Sequence, residues 1–315
     1  VNTITQDKPA LVVTAADLAP EALALLQDFE VVFAGQTPSE EGIVALCREH
    51  NPVAIIVRYN KVGAAAMDAA PALRVISKHG SGTDTIDKAA AAQRGIQVVA
   101  AAGVNAAAVA EQALALLLAC AKSVVRLDER MRAGHWDKST HKSLELGGKT
   151  IGLVGLGAIG QRMATMAHGL DMRVIGFDPY AKHLPSYIQN VPLDAIWREA
   201  NVVSLHCPLT DENRNMVNTA TLAQCKPGVI LVNTARGGLV DEDALLQAVR
   251  SGHVWAAGLD SFAVEPMTAG HPFQQEPRIL LSPHIGGVTH AAYVNMGVTA
   301  ARNVLDVLAR ANAPA

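Results

Sequence analysis

Charge is in short supply in this 315-residue sequence: Asp, Glu, Lys and Arg make up 17% of it, against about 25% in an average soluble protein. A monomer of this size spreads more charge over its surface, so the shortage implies a sizeable buried subunit interface. The net charge of −3 is not gathered into a basic face or stripe, which argues against nucleic acid and anionic membrane as partners. A small-molecule ligand fits better. Cysteine is sparse too. Cys47, Cys120, Cys207 and Cys225 stand far apart with no CxxC pair, the pattern of a reduced protein with neither a disulfide framework nor a structural zinc. No basic segment followed by an apolar core opens the sequence, so it is expected to be cytoplasmic. Repeats and low-complexity tracts are missing too.

One apolar run imitates a membrane span. Val98 to Ala121 is nearly all apolar and long enough for a span, which needs about 20 residues. Glu111 and Gln112 interrupt its middle and Gly103 and Asn105 its start, and a carboxylate at the bilayer centre costs at least about 2.5 kcal/mol. The part from Ala106 onward reads instead as a helix buried between domains or subunits, continuing to about Arg132.

What the sequence has in quantity is short apolar runs alternating with helical patterns. Ala10–Val13, Val31–Phe33, Val53–Val57, Arg74–Ser77 and Ile96–Val99 read as one series of strands. Thr150–Val154, Arg173–Phe177, Val202–Leu205, Val229–Val232, Val254–Gly258 and Ile279–Leu281 read as a second. Strand and helix alternating in this way predict α/β architecture with parallel sheets covered on both faces. Two Rossmann-like parallel-sheet domains are expected. One is flavodoxin-like and discontinuous, residues 1–102 with 286–315, because the helical tail Ala291–Leu308 has no strand partner and is expected to return to the first sheet. The other spans residues 103–285.

The second series opens on Gly155-Leu156-Gly157-Ala158-Ile159-Gly160. GxGxxG alone is weak evidence, but here it follows a strand and begins a helix, the setting a dinucleotide requires. Gly155 permits the tight turn, Gly157 lets a pyrophosphate approach the backbone, and Gly160 lets helix and strand pack closely. The helix N-terminus then offers N–H groups and the positive end of its dipole to the phosphates. An acid about 20 positions on should bond the adenosine ribose. Asp178 fills that place, and its carboxylate would repel a 2′-phosphate, so the expected cofactor is NAD rather than NADP.

Three further segments follow predicted strands, where open α/β sheets place their ligands. They are Asn233–Gly238, Gly258–Pro266 and Ser282–Gly287. Loss of hydride from an alcohol needs a group to take the hydroxyl proton, and imidazole titrates in the right range; His284 is the candidate. Glu265 supplies a carboxylate able to orient it and to stabilise its cation. Arg236, flanked by glycine, offers the planar fork that recognises a carboxylate and polarises the adjacent carbonyl. Singly, one of eleven histidines, an arginine in a loop and a glutamate before proline are ordinary residues. Behind a dinucleotide turn they make a set.

These segments resemble the D-isomer-specific 2-hydroxyacid dehydrogenases, which include 3-phosphoglycerate, hydroxypyruvate, D-lactate and formate dehydrogenases. The resemblance runs over nearly the whole sequence, from Gly152–Gly160 through His206-Cys207-Pro208-Leu209-Thr210, Arg236 with Leu239-Val240-Asp241-Glu242, and Asp260 with Glu265-Pro266, to His284-Ile285-Gly286-Gly287. It implies that Arg236, Glu265 and His284 are catalytic and that His284 donates and accepts the proton. It further implies NAD contacts from Ala158, Ile159, Cys207, Pro208, Thr234, Ala235, Arg236, Asp260, His284, Gly286 and Gly287. Arg58, Ser81, Gly82 and Asn105 fall where such enzymes hold the substrate carboxylate, alongside Arg236 and His284. Tyr59 and Ala108 depart from the usual residues, and so bear on which acid is bound. Arg58, Lys61, His79 and the Trp136–Lys142 loop either add positive charge for a second anionic group or form a solvated rim. No counterpart of the C-terminal regulatory domain of long phosphoglycerate dehydrogenases is expected. The reading is a homodimeric NAD-linked dehydrogenase of small D-2-hydroxy acids; the alternative is a non-catalytic NAD-sensing protein, as in the corepressors built on the same fold.

Overall fold

The computed structural model describes residues 8–311, which divide into two compact units. The first runs to Asn105 and resumes at Gly287; the second is Ala106–Gly286.

In the first unit β1 (Ala10–Val13), β2 (Glu30–Phe33), β3 (Ala54–Val57), β4 (Val75–Lys78) and β5 (Gln97–Ala100) pair in parallel in the order β2-β1-β3-β4-β5. That is the flavodoxin-like order. Side chains of a strand alternate between faces, and β1 shows the consequence. Leu11 and Val13 join Ile56 and Val75 in one core; Val12 joins Ile55, Val57 and Ile76 in the other. The helices α1 (Pro20–Leu23), α2 (Glu40–His50), α3 (Ala64–Asp68) and α4 (Lys88–Gln93) connect the strands. Caps set their ends: Ser39 accepts from Gly42 N and Asp87 from Ala90 N, each cap worth about 1 kcal/mol. The last helix, His290–Ala311, buries Ala300, Ala301 and Val304 in the core that holds Leu11 and Val13. Ser77 Oγ donates to Ala300 O at 3.0 Å.

The second unit begins with α5 (Ala106–Lys122) and α6 (Val124–Arg132). A single helix to Arg132 was expected, but the two axes bend by 58° at Ser123, which takes a left-handed φ of 53°. The buried alanine and leucine positions of α5 end there, and α6 buries no residue. Part of the apolar surface of α5 is used within the unit: Leu116, Leu117 and Cys120 pack into a core with Ile151, Leu153 and Val232 of this unit's own sheet. Among the described residues no single helix is long and apolar enough to cross a membrane.

The sheet comprises β6 (Thr150–Val154), β7 (Arg173–Phe177), β8 (Ile188–Asn190), β9 (Val202–Leu205), β10 (Val229–Asn233), β11 (Val254–Leu259) and β12 (Ile279–Leu281). All pair in parallel in the order β12-β11-β10-β9-β6-β7-β8. This is the doubly wound dinucleotide-binding order with one strand added at the edge, and the chain reverses direction across the sheet between β6 and β9. Helices α7 (Ala158–Gly169), α8 (Leu193–Glu199), α9 (Thr219–Gln224) and α10 (Glu242–Arg250) complete the layers, leaving His290–Ala311 as α11. Sequence periodicity missed β8, an edge strand in which only Ile188 is buried.

Candidate active site

The groups that can carry chemistry in the second unit sit on segments leaving the carboxyl ends of its strands. β6, buried throughout, runs into Gly155, whose φ of +98° suits glycine. A Cβ there would lie 2.7 Å from the His206 carbonyl carbon, and one on Gly160 would lie 2.1 Å from Gly155 O. No atom lies within 4 Å of a Cβ on Gly157, and no side chain caps α7 there. The turn is thus packed tightly from behind and open in front, with backbone amides at the opening. Such a cradle fits a pyrophosphate.

Asp178, at the end of β7, has a second task that its spacing did not reveal. Its Oδ2 accepts from Leu156 N inside the glycine turn at 2.9 Å, and its Oδ1 from Tyr180 N at 2.8 Å. The acid braces the turn. After β9, half-buried His206 lies beside Ser204 Oγ at 2.9 Å, and burial of its ring depresses its pKa to about 4. Burial also pushes the half-buried Cys207 thiol up to about 11, so it stays protonated. Pro208 O accepts from Asn213 at 2.8 Å.

Beyond β10, buried Asn233 shapes the next loop by donating to Arg236 O at 2.9 Å and accepting from Ala235 N at 3.0 Å. Thr234 is buried with its hydroxyl unpartnered. Gly237 packs so closely on Phe262 that a Cβ would lie 1.9 Å from that residue's carbonyl carbon. Arg236 therefore sits between a loop braced by Asn233 and a glycine that leaves no room for a side chain.

Asp260, at the end of β11, is 1% exposed. It accepts from Ile285 N at 3.0 Å, from Gly286 N at 2.7 Å and from Ser282 Oγ, while Gln112 Nε2 donates to the same Ser282 oxygen at 2.9 Å. This clasp fixes the loop carrying His284, itself at a φ of +54°. His284 Nδ1 lies 2.7 Å from Glu265 Oε2, and Glu265 Oε1 accepts from Phe262 N at 2.9 Å. The hydrogen bond to Glu265 raises the His284 pKa; burial opposes it, the charges of Glu265 and Asp260 reinforce it, and that of Arg236 opposes it. Burial alone would raise the Glu265 pKa, but the bonds from His284 and Phe262 N, with the charges of His284 and Arg236, hold it below its usual value. The three residues thus act on one another electrically. Ser282 opens a segment the sequence marked, but nothing in the spacing tied it to Gln112, 170 positions away.

In the first unit Ser81 Oγ donates to Asn105 Oδ1 at 3.1 Å and accepts from Gly103 N at 3.3 Å. Gly82 follows in the same loop, and Gly287 packs on the Asn105 side chain. Arg58 is engaged elsewhere, in an ion pair with Asp17. His79 supplies neither a positive charge nor a solvated rim: it is 8% exposed, and burial, aided by the Arg58 charge, lowers its pKa to about 4.

A glycine turn at the crossover of a doubly wound sheet, with an acid–base pair at the ends of neighbouring strands, defines a nicotinamide-dependent oxidoreductase. Residues 114–286 match the D-isomer specific 2-hydroxyacid dehydrogenase, NAD binding domain. The chain is 39% identical to hydroxypyruvate reductase of Thermotoga maritima over 81% of its own length and 84% of that enzyme's. It is 40% identical to D-3-phosphoglycerate dehydrogenase of Mycobacterium leprae over 95% of its length, yet spans only 57% of that enzyme. A crystal structure of a Thermus thermophilus protein, 37% identical, superposes with a TM-score of 0.88 over 96% of this chain and 97% of that one. The chain belongs to the D-isomer specific 2-hydroxyacid dehydrogenases, NAD-dependent oxidoreductases of 2-hydroxy acids. These relatives are enzymes, which favours the dehydrogenase reading over the non-catalytic alternative.

Proposed function

We propose that this protein interconverts a small D-2-hydroxy acid and its 2-oxo acid, with Arg236, Glu265 and His284 as the catalytic set. The observation that carries the proposal is the 2.7 Å contact between His284 Nδ1 and Glu265. It fixes the ring so that Nε2 is the nitrogen left to exchange a proton with substrate oxygen, and it favours the protonated ring that reduction requires. Arg236 holds the substrate carboxylate through its planar fork and stabilises charge developing on the neighbouring oxygen. Ser81, Gly82 and Asn105 bind the carboxylate end, and Arg58, paired with Asp17, stands toward the substrate's side chain.

Gly155, Gly157, Ala158, Ile159 and Gly160 would hold the pyrophosphate of NAD, and Asp178 the adenosine ribose. Cys207, Pro208, Thr234, Ala235, Asp260, Gly286 and Gly287 would line the rest of the dinucleotide. When bound, NAD supplies or accepts the hydride. The protein is proposed to be a cytoplasmic homodimer. Helix α6 supports the dimer: it buries no residue and exposes Val124, Val125 and Met131, with Trp136 just beyond it 73% exposed.

The test is a screen of 2-oxo acids with NADH, following loss of absorbance, with the product resolved by enantiomer. Turnover of at least one acid to the D-product is expected and should vanish in His284→Ala. Failure of every 2-oxo acid, or an L-product, would reject the assignment. Sedimentation of the same preparation tests the dimer.

A further inference from the structure

The side chain expected to bring positive charge to the substrate end of the first unit is not isolated. Arg58 leaves the end of β3 with its backbone N–H donated to Thr14 Oγ1 at 3.0 Å, while the Thr14 hydroxyl donates to Tyr59 O at 2.8 Å. Its Nη1 donates to the backbone carbonyl of Asp17 at 3.0 Å and to that residue's carboxylate. Its Nη2 donates to the Tyr59 hydroxyl at 3.3 Å. The guanidinium carbon lies 5.2 Å from the centre of the Tyr59 ring and 4.9 Å from that of Tyr293, so two aromatic faces favour this placement. The arginine side chain is 11% exposed and that of Asp17 69%. His79, next to the Ser81 loop and 5.7 Å from the Tyr293 ring centre, is neutral at ordinary pH because burial and the Arg58 charge lower its pKa to about 4.

A second anionic group brought to Arg58 therefore meets the Asp17 carboxylate beside it, and the neighbouring imidazole offers no compensating charge. An uncharged side chain meets no such penalty and finds tyrosine rings to pack on; Tyr59 is 53% exposed. We propose that Asp17 is a specificity-determining residue: by pairing with Arg58 it selects 2-oxo acids with an uncharged side chain and rejects those with a phosphate or second carboxylate. Rejection by a misplaced like charge is a general route to selectivity. The inference rests on the proposed reduction of 2-oxo acids with Arg58 at the substrate end, and it narrows that reading to a substrate class.

The experiment compares kcat/KM with NADH for pyruvate and phenylpyruvate against 3-phosphohydroxypyruvate and oxaloacetate, in the wild type, Asp17→Asn and Asp17→Glu. The wild type should prefer the uncharged side chains by at least tenfold. Asp17→Asn should raise the ratio for the doubly anionic acids at least tenfold, chiefly through KM, while Asp17→Glu keeps the wild-type ratio. A wild type that prefers the phosphorylated acid, a ratio in Asp17→Asn within twofold of wild type, or equal shifts in both variants would overturn the role of Asp17. If none of the four acids oxidises NADH in any form, the functional reading fails and this inference falls with it. Turnover with an unmoved ratio rejects Asp17 alone.

Discussion

His284 and Glu265 stand 19 positions apart in sequence and 2.7 Å apart in space, Nδ1 against Oε2. The carboxylate raises the pKa of the imidazole. Reduction of a 2-oxo acid needs the ring protonated so that it donates to the nascent alkoxide, and oxidation needs it neutral. In Glu265→Gln the cation loses its partner and its pKa falls. The limb on which reduction fails with rising pH should therefore move to lower pH, and oxidation should persist to lower pH than in the wild type. Profiles of kcat/KM against pH in both directions, with chemistry limiting, test this. Unmoved apparent pKa values would separate Glu265 from the proton transfer.

Arg236 to lysine keeps the charge and loses the fork. A charge-assisted hydrogen bond contributes about 1.5–3 kcal/mol, so kcat/KM for the preferred acid should fall between about tenfold and a hundredfold. The Kd of NADH, read by fluorescence titration, should change little. Near-normal turnover in the lysine variant would remove Arg236 from the carboxylate.

Asp178 braces Leu156 N as well as facing the proposed ribose site. Asp178→Ala should therefore lower the preference for NADH over NADPH and also weaken NADH itself, since a turn amide loses its acceptor at a cost of about 1–3 kcal/mol. Steady-state kinetics with both cofactors separates the two effects. A variant whose NADH parameters match wild type would show that the brace is dispensable.

His206 ties stability to acid. Its folded-state pKa of about 4 lies below the ordinary 6.5, so between those values the unfolded chain binds a proton that the folded protein refuses. Stability should rise with pH across that window and be lost as pH falls through it, by on the order of 3 kcal/mol. His79 acts in the same direction. Thermal melts from pH 7 to 4 should show a shallower decline in His206→Gln than in the wild type. Parallel curves would mean that other groups govern the acid limb.

Much of this protein could be read locally. The strands of both sheets reveal themselves because β1 and β10 alternate their apolar side chains between two cores, a period of two that survives in any linear reading. The glycine turn is equally local: Gly155 needs its positive φ and Gly160 its missing Cβ within a few residues of each other. The segments holding Arg236, Glu265 and His284 announced themselves by lying just past strand ends.

Folding alone decided what those segments touch. Nothing near Ser123 marks the break between α5 and α6 except the end of the buried positions, and burial belongs to the packed core rather than to the helix. The clasp from Gln112 through Ser282 to Asp260 joins residues from three segments, and the pairing of Arg58 with Asp17 crosses 41 positions. Composition cannot show that His79 is buried and uncharged, because its pKa is set by the solvent it has lost and by the cation it has gained. Periodicity and turn chemistry act over a few residues and are written in order along the chain. Desolvation and ion pairing act through space, so they exist only once distant segments have met.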